Sequence, residues 1–246
     1  MNPLINNAAQ LRWRWGAEVP LTVRIPLGAK TRSGPFHANM IESWFANDPG
    51  LIIVFPSTPQ DAYDMLVEAH ALDDPVVYIE HIGLYGLRGG KTGWGESISQ
   101  LVDTDSVHAR LACGESSIGQ AHVVRGGKDV TIVPWGAMVH VAQAAIRESG
   151  ISCDLIDLQS LVPWDKEAIE ASIEKTGRCV IVHEAPKTSG FGAEMAASIQ
   201  ERYFWSLEAP VNRVTGWDTP FPHTTEWDYM PSPARIAGAI HKTMEE

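Results

Sequence analysis

A histidine in a glycine-bearing loop is the side chain best placed for acid–base chemistry. His37 follows Gly34-Pro35-Phe36, and the pattern of the next residues predicts a helical stretch over 37–45. Imidazole changes its charge near neutral pH, so a ring that projects from such a loop into a cleft can move protons. His37 is therefore a candidate catalytic residue, with an ordinary surface histidine as the alternative.

A second pair of polar residues stands where a predicted strand ends. His183 closes the apolar run 179–183, and Glu184 follows it directly. Open α/β sheets bind their ligands at the carboxyl ends of their strands. The pair therefore indicates either ligand groups or residues of an interface.

Two glycine-rich stretches invite comparison with phosphate-binding loops. The stretch 86–92 contains Gly90-Lys91-Thr92, but the phosphate-loop motif requires its first glycine at Tyr85, so a linker is favoured. Gly190-Phe191-Gly192 lies between a strand and a helix, where backbone amides can face an anion. It lacks the GxGxxG spacing, which favours a tight, closely packed turn over a dinucleotide site. The histidines show no HxxxH spacing for a metal.

The composition excludes several classes of protein. Nineteen Lys and Arg against thirty Asp and Glu give a net charge of −11, which argues against broad affinity for nucleic acid. The apolar runs are too short to span a membrane, and the first residues carry no export signal. Three scattered cysteines, Cys113, Cys153 and Cys179, indicate reduced thiols and a cytoplasmic location. Nine tryptophans predict large surfaces that meet other protein surfaces.

Strand and helix patterns alternate along the chain, which predicts an α/β fold with mainly parallel strands. Thr58-Pro59 predicts the start of one helix, and Gly150 and Gly177 predict the ends of two others. Strands are expected at 21–25, 51–55, 76–79, 130–133, 151–158 and 179–183. The expected organisation is one α/β segment over 1–90, a linker over 91–120 and a second α/β segment over 121–246.

Ordered blocks of residues match a known family. In the second segment they are Trp135-Gly136-Ala137-Met138, Leu161-Val162-Pro163-Trp164-Asp165, His183-Glu184-Ala185-Pro186, Gly190-Phe191-Gly192-Ala193-Glu194, Leu207-Glu208-Ala209-Pro210 and Asp218-Thr219-Pro220-Phe221-Pro222-His223. In the first segment they are residues 5–13 and Phe36-His37-Ala38-Asn39. The blocks resemble the β subunit of 2-oxoacid dehydrogenase first components. This resemblance implies part of a transketolase-like, thiamine-diphosphate (pyrimidine) binding domain, followed by a transketolase C-terminal domain with a mainly parallel sheet.

The resemblance also implies an activity, cofactors and partners. Members of the family act in the oxidative decarboxylation of a 2-oxoacid and in acyl transfer to the lipoyl group of a second component. They work as α2β2 heterotetramers with contact between the β chains, and the α subunit holds most of the thiamine diphosphate and its magnesium ion. Three blocks most resemble the branched-chain type: Pro163-Trp164-Asp165, Leu207-Glu208-Ala209-Pro210 and Pro222-His223. The pyruvate and acetoin types stay open as alternatives.

Particular residues acquire roles through the same resemblance. His37 aligns with the histidine of the family's His-Ser-Gln loop, which assists acyl transfer to lipoamide, and Ala38-Asn39 stand where the family has Ser-Gln. The family also binds a structural potassium ion, mainly through backbone carbonyls. The positions aligned with those ligands are Val23, Ala69, His70, Leu72 and Asp74.

One family residue has no counterpart among these residues. The glutamate that contacts the aminopyrimidine ring of the cofactor aligns upstream of Met1, so the resemblance assigns no cofactor-binding residue here. We therefore expect that this chain by itself does not activate the cofactor. Two hypotheses follow from this departure. The chain is a β subunit, whole or shortened, of a 2-oxoacid dehydrogenase, or it is a non-catalytic scaffold that retains the domain for dimerisation and for docking the second component.

Overall fold

The computed structural model describes residues 1–29, 32–85 and 100–246. The helices are α1 (Ala9–Trp15), α2 (Glu42–Ala46), α3 (Pro59–His70), α4 (Thr104–Ala112), α5 (Met138–Ser149), α6 (Lys166–Thr176), α7 (Phe191–Tyr203), α8 (Glu226–Tyr229) and α9 (Pro233–Glu245). The strands are β1 (Thr22–Leu27), β2 (Ile52–Val54), β3 (Val76–His81), β4 (His122–Arg125), β5 (Val130–Pro134), β6 (Cys153–Asp157), β7 (Ser160–Val162), β8 (Cys179–Pro186) and β9 (Asn212–Gly216). A π-helical segment, Pro3–Ala8, leads into α1.

The strands form two sheets. The first has the order β1-β3-β2-β7 and the second β4-β6-β5-β8-β9. Neighbouring strands run parallel except at one edge of each sheet, where β7 and β4 are antiparallel to their neighbours. The predicted α/β fold with mainly parallel strands is confirmed.

Local signals explain where the main helices begin and end. The hydroxyl of Thr58 accepts a hydrogen bond from the backbone N–H of Asp61, which caps α3 in front of its first-turn proline. Gly150 and Gly177 follow α5 and α6 with φ values of +69° and +66°, the left-handed conformation that glycine adopts without strain. These helix boundaries agree with the prediction.

The two halves of the chain share one hydrophobic core. Leu27, Phe55 and Ile79 from the first half pack in the same buried cluster as Ile181 and Phe191 from the second. In addition β7, which belongs to the second half, pairs with β2 of the first sheet. The carboxyl ends of strands from both halves therefore meet, and the loops that follow them can form one site.

One sequence-based expectation needs correction, and the segment expected as a linker contains a helix that was not predicted. The helical stretch predicted over 37–45 begins only at Glu42, because residues 34–36 form a 3₁₀ turn and the side chain of Asn39 donates to the Pro35 carbonyl. The expected linker contains α4, whose N-cap Asp103 accepts hydrogen bonds from the N–H groups of Asp105 and Ser106.

The Gly-Lys-Thr stretch at 86–92 lies outside the described residues. Within the described ranges, no helix is long and apolar enough to cross a membrane.

Candidate active site

His37 lies at the surface, in the loop between β1 and α2. Its Nδ1 is 2.8 Å from the carbonyl oxygen of Phe36, and because a carbonyl only accepts hydrogen bonds, Nδ1 carries the hydrogen. In the neutral ring Nε2 is then an acceptor. The neighbouring Phe36 is 83% exposed. The loop thus presents a proton acceptor beside an exposed aromatic ring to whatever binds there.

The shape of this loop depends on close approaches at one glycine. Gly34 has φ +64°, and a Cβ atom there would lie 2.2 Å from the ring of His223. The N–H of Ala38 donates to the Gly34 carbonyl at 3.1 Å, and the amide of Asn39 donates to the Pro35 carbonyl at 2.6 Å. Together these contacts form a compact turn with His37 near its tip.

A buried, hydrogen-bonded pair of side chains lies beneath the first residues of the loop. Glu184 in β8 and His81 at the end of β3 approach to 2.7 Å, with side chains 2% and 1% exposed. The second carboxylate oxygen of Glu184 accepts the backbone N–H of Ala29 at 2.8 Å. A residue of the second half therefore holds the backbone of the loop that comes from the first half.

A second contact from the same half holds the loop further along. Glu226 accepts the backbone N–H of Arg32 at 3.2 Å, and Nδ1 of His223 lies 3.2 Å from the Arg32 carbonyl oxygen and donates to it. Glu226 is 1% exposed. The loop is thus attached to the second half of the chain at two of its described residues, Ala29 and Arg32.

Glu42, the first residue of α2, is a third buried carboxyl group beside the loop. It faces a small enclosed space with His81 and Glu184, and Nε1 of Trp135 donates to it at 3.4 Å. Burial raises the pKa of Glu42 to about 7, and the nearby carboxylate of Glu184 acts in the same direction. Near neutral pH this side chain is therefore divided between its charged and neutral forms.

The predicted pair His183-Glu184 has two different roles. Glu184 reaches the loop, whereas the His183 ring stacks on Trp135, with ring centroids 5.1 Å apart. Burial lowers the pKa of His183 to about 3, so its ring is neutral. Cβ atoms on Gly190 and Gly192 would lie 2.7 and 2.6 Å from that ring. The close-packing interpretation of the glycine turn is therefore confirmed, and His183 is part of the core.

The positions assigned to a potassium ion lie around one end of the first sheet. Ala69 and His70 are in the last turn of α3, Leu72 and Asp74 follow it, and Val23 is in β1. The Asp74 carboxylate is paired with Arg12. Among the residues that the structure describes, no group of three or more His, Cys, Asp or Glu side chains could hold a metal. Because the implied ligands are backbone carbonyls, the potassium site stays a prediction.

Sequence reasoning missed Ala29 and His81 as parts of the site. The position of His81 at the carboxyl end of a buried strand was the available signal. Ala29 contributes only its backbone N–H, which residue type does not reveal.

A cleft of about 660 Å³ adjoins the loop, lined among others by Asn39, Met40, Trp44 and Thr219. It offers an approach along α2 to the loop that carries His37.

Comparison with known proteins adds to this geometry. The family described as "Transketolase, C-terminal domain" matches residues 119–236. The 2-oxoisovalerate dehydrogenase subunit beta of Pseudomonas aeruginosa is 44% identical over 250 residues, covering 98% of this chain and 69% of that protein. The mitochondrial subunit beta 2 of Arabidopsis thaliana is 40% identical over 247 residues, with 98% and 64% covered. The 3-methyl-2-oxobutanoate dehydrogenase subunit beta of Mycobacterium tuberculosis is 39% identical over 250 residues, with 99% and 67% covered.

Solved structures show the same fold at lower identity. A protein described as a split-gene transketolase, an inactive β4 tetramer, has a TM-score of 0.71 at 20% identity, covering 98% of this chain and 73% of that one. A transketolase mutant from Pichia stipitis has a TM-score of 0.58 at 14% identity, covering 93% and 30%. The chain spans between 62% and 69% of the length of the curated relatives that it matches.

Proposed function

The chain belongs to the family of 2-oxoisovalerate dehydrogenase β subunits, and from this we propose that it is the β subunit of a branched-chain-type 2-oxoacid dehydrogenase. The proposed reaction is the oxidative decarboxylation of a 2-oxoacid such as 2-oxoisovalerate, followed by acyl transfer to a lipoyl group. The substrate class comes from the names of the relatives. The pyruvate and acetoin types are the competing substrate assignments.

The observation that carries this proposal is the presentation of His37. Its loop is attached to the second half of the chain through Ala29 and Arg32, while the ring stays exposed with Nδ1 bonded to Phe36. A positioned imidazole with Nε2 available accepts or donates a proton as bonds to the acyl group form and break. We assign His37 to proton transfer in the acyl-transfer step, which is consistent with its alignment to the family's loop histidine.

The family implies thiamine diphosphate as the cofactor, which supplies a nucleophilic carbon for attack on the 2-oxo group. The described residues do not by themselves form a site for it. The carboxyl groups beside the loop, Glu42, Glu184 and Glu226, are all buried, so none of them reaches a ring placed at the loop surface. We therefore assign thiamine diphosphate and its magnesium ion mainly to the α subunit, and we keep potassium as a proposed structural ion.

β subunits of this family work with an α subunit. The proposed partners of this chain are an α subunit, a second β chain and the lipoylated second component. Exposed aromatic side chains support such contacts, since Trp13 and Trp205 are 89% and 94% exposed. Three free cysteines favour a reducing compartment, and we propose the cytoplasm. The domain boundaries near residues 90 and 120 remain part of the proposal.

Co-expression with an α subunit tests the proposed function. We expect an α2β2 assembly on light scattering after size exclusion, in which this chain alone does not activate the cofactor. When a β chain that also carries the family's aminopyrimidine-contacting glutamate is supplied, we expect release of CO2 from 2-oxoisovalerate in the presence of thiamine diphosphate and magnesium, faster than from pyruvate. Assembly without turnover even then would instead favour the non-catalytic scaffold. If no complex with the α subunit forms, the assignment as a β subunit is wrong.

A further inference from the structure

The carboxylate of Glu184 receives hydrogen bonds on both of its oxygens from the first half of the chain. Oε1 accepts the N–H of Ala29 at 2.8 Å, and Oε2 lies 2.7 Å from Nε2 of His81. All of this lies below the surface, because both side chains of the pair are buried. The carboxylate therefore connects β8, β3 and the loop that leaves β1.

The hydrogen-bond pattern defines the tautomer of His81. The backbone N–H of Gly83 donates to Nδ1 of His81 at 3.0 Å, so Nδ1 is an acceptor and carries no hydrogen. Nε2 then carries the hydrogen and donates to Glu184. Glu184 thus faces at least two donors. A carboxylate accepts hydrogen bonds on both of its oxygens, whereas a carboxamide has only one acceptor oxygen.

The same histidine limits the path of the backbone at the start of the loop. Gly28 has φ +102°, and a Cβ atom there would lie 2.4 Å from Nε2 of His81. The loop therefore rests directly on the imidazole that Glu184 holds. A shift of either member of the pair would move the point at which the loop leaves the strand.

We propose that Glu184 is a positioning residue for His37, acting through Ala29 and His81 to fix the start of the loop that carries the catalytic imidazole. This inference rests on the proposed function of His37. Glu184 does not touch the reacting atoms. It matters because a displacement of about 1 Å in a reacting group lowers rates by about 100-fold.

Hydrogen exchange on the full chain tests the attachment without any need for activity. In Glu184→Gln one carbonyl oxygen faces two donors, so one hydrogen bond is lost, and we expect exchange in peptides covering 28–41 to rise about tenfold. Peptides from α5 and α6 should stay unchanged. The matched control is Asp154→Asn, a buried carboxylate in β6 bonded to Ser172 and Lys175, which should leave the loop unchanged. Unchanged loop exchange in Glu184→Gln would overturn the proposal.

A second variant keeps the test decisive if Glu184→Gln does not fold. Gly28→Ala leaves the carboxylate in place and pushes the loop off His81, so exchange over 28–41 should rise in the same way. In the assembly with the α subunit, Glu184→Gln should slow acyl transfer to a lipoyl domain at least tenfold while decarboxylation with a dye as electron acceptor is retained. Equal losses in both steps would indicate a general structural role and overturn positioning.

The outcomes also separate this inference from the proposed function. If His37→Ala leaves acyl transfer unchanged while Glu184→Gln loosens the loop, then the role of His37 fails and the attachment stands. If His37→Ala abolishes acyl transfer and Glu184→Gln changes neither exchange nor rate, the proposed function stands and the positioning role is wrong.

Discussion

The hydroxyl of Ser57 is hydrogen-bonded to the carboxyl group of Asp157 at 2.5 Å, which joins the loop after β2 to the last residue of β6. Both side chains are buried between the two halves of the chain. Burial raises the pKa of Asp157 to about 8, and the charge of Asp61 acts in the same direction. The contact between the halves thus contains a carboxyl group that is protonated at neutral pH.

This proton makes the stability of the chain depend on pH. An aspartate in the unfolded chain releases its proton near pH 3.9. Between that pH and about 8, the folded chain holds a proton that the unfolded chain has lost. The contribution to the free energy of unfolding is therefore complete below about pH 4 and is lost as the pH rises to about 8.

Asp157→Asn should remove this dependence, because an amide stays uncharged. The Tm of the variant minus the Tm of the parent chain should therefore increase between pH 5 and pH 9. We expect an increase of at least about 2 °C, which is the change that about 1 kcal/mol produces in a chain of this size. Thermal unfolding at a series of pH values measures the difference. Asp228→Asn, at an exposed aspartate, is the control and should follow the parent chain. Parallel curves for Asp157→Asn and the parent would contradict the prediction.

Glu68 attaches the segment after α4 to α3. Its buried carboxylate accepts the N–H of Ser117 at 2.7 Å, the hydroxyl of Ser116 at 3.0 Å and a guanidinium N–H of Arg110 at 3.2 Å. Glu68→Ala should destabilise the chain by about 3 kcal/mol, because it removes one partner of a buried charged network. Urea unfolding measures the loss, and a protease in limiting amount should cut the Glu68→Ala variant within residues 100–118.

The control is Glu115→Ala, at an exposed glutamate of the same segment, which should change the free energy of unfolding by no more than about 0.5 kcal/mol. Equal effects of the two variants would refute the attachment.

The sequence predicted the elements that local chemistry determines. α5 spans the residues predicted from the helical spacing of its apolar side chains, and it ends before Gly150 as expected. α3 begins after Thr58, as predicted from the N-cap residue and the first-turn proline. The short strand β7 was missed, because three residues at the edge of a sheet carry little periodic signal and depend on pairing with β2. α4 was missed because its polar surroundings resemble a linker.

The candidate site was predictable only in part. His37 and Glu184 could be singled out by residue type and by their positions next to predicted elements. Their connection could not, because the bond from Ala29 to Glu184 joins residues 155 positions apart and uses a backbone N–H. Such contacts depend on how the two sheets pack, which the spacing of residues along the chain does not encode.

Gly34→Ala should disturb the loop in two ways, by a steric clash of the new methyl group and by strain of the backbone. A positive φ alone costs about 1 kcal/mol for alanine. The new Cβ would also meet the His223 ring at 2.2 Å, and overpacking adds about 1–3 kcal/mol. Gly16→Ala is the matched control, with φ +67° and nothing within 4 Å of the added atom. Urea unfolding should show the larger loss for Gly34→Ala.

A double-variant cycle identifies the cause of that loss. If the clash with His223 is responsible, Gly34→Ala combined with His223→Ala should be less destabilised than the sum of the two single variants. Strict additivity would show that the ring does not limit the space at Gly34.

Replacement of His37 should separate chemistry from stability. Because the ring is exposed and its Nδ1 bonds to the carbonyl of the adjacent Phe36, His37→Ala should change the free energy of unfolding by no more than about 0.5 kcal/mol. In the assembly with the α subunit, the rate of acyl transfer to a lipoyl domain should fall by about 10²- to 10⁴-fold, the usual contribution of a positioned acid or base. The rate for His37→Gln should fall by the same factor, because an amide cannot accept the proton.

Single-turnover measurements give these rates of acyl transfer. The control is His241→Ala, at an exposed histidine of α9, and its rate should match that of the parent chain. A rate for His37→Gln near that of the parent would show that the ring binds or packs without transferring a proton.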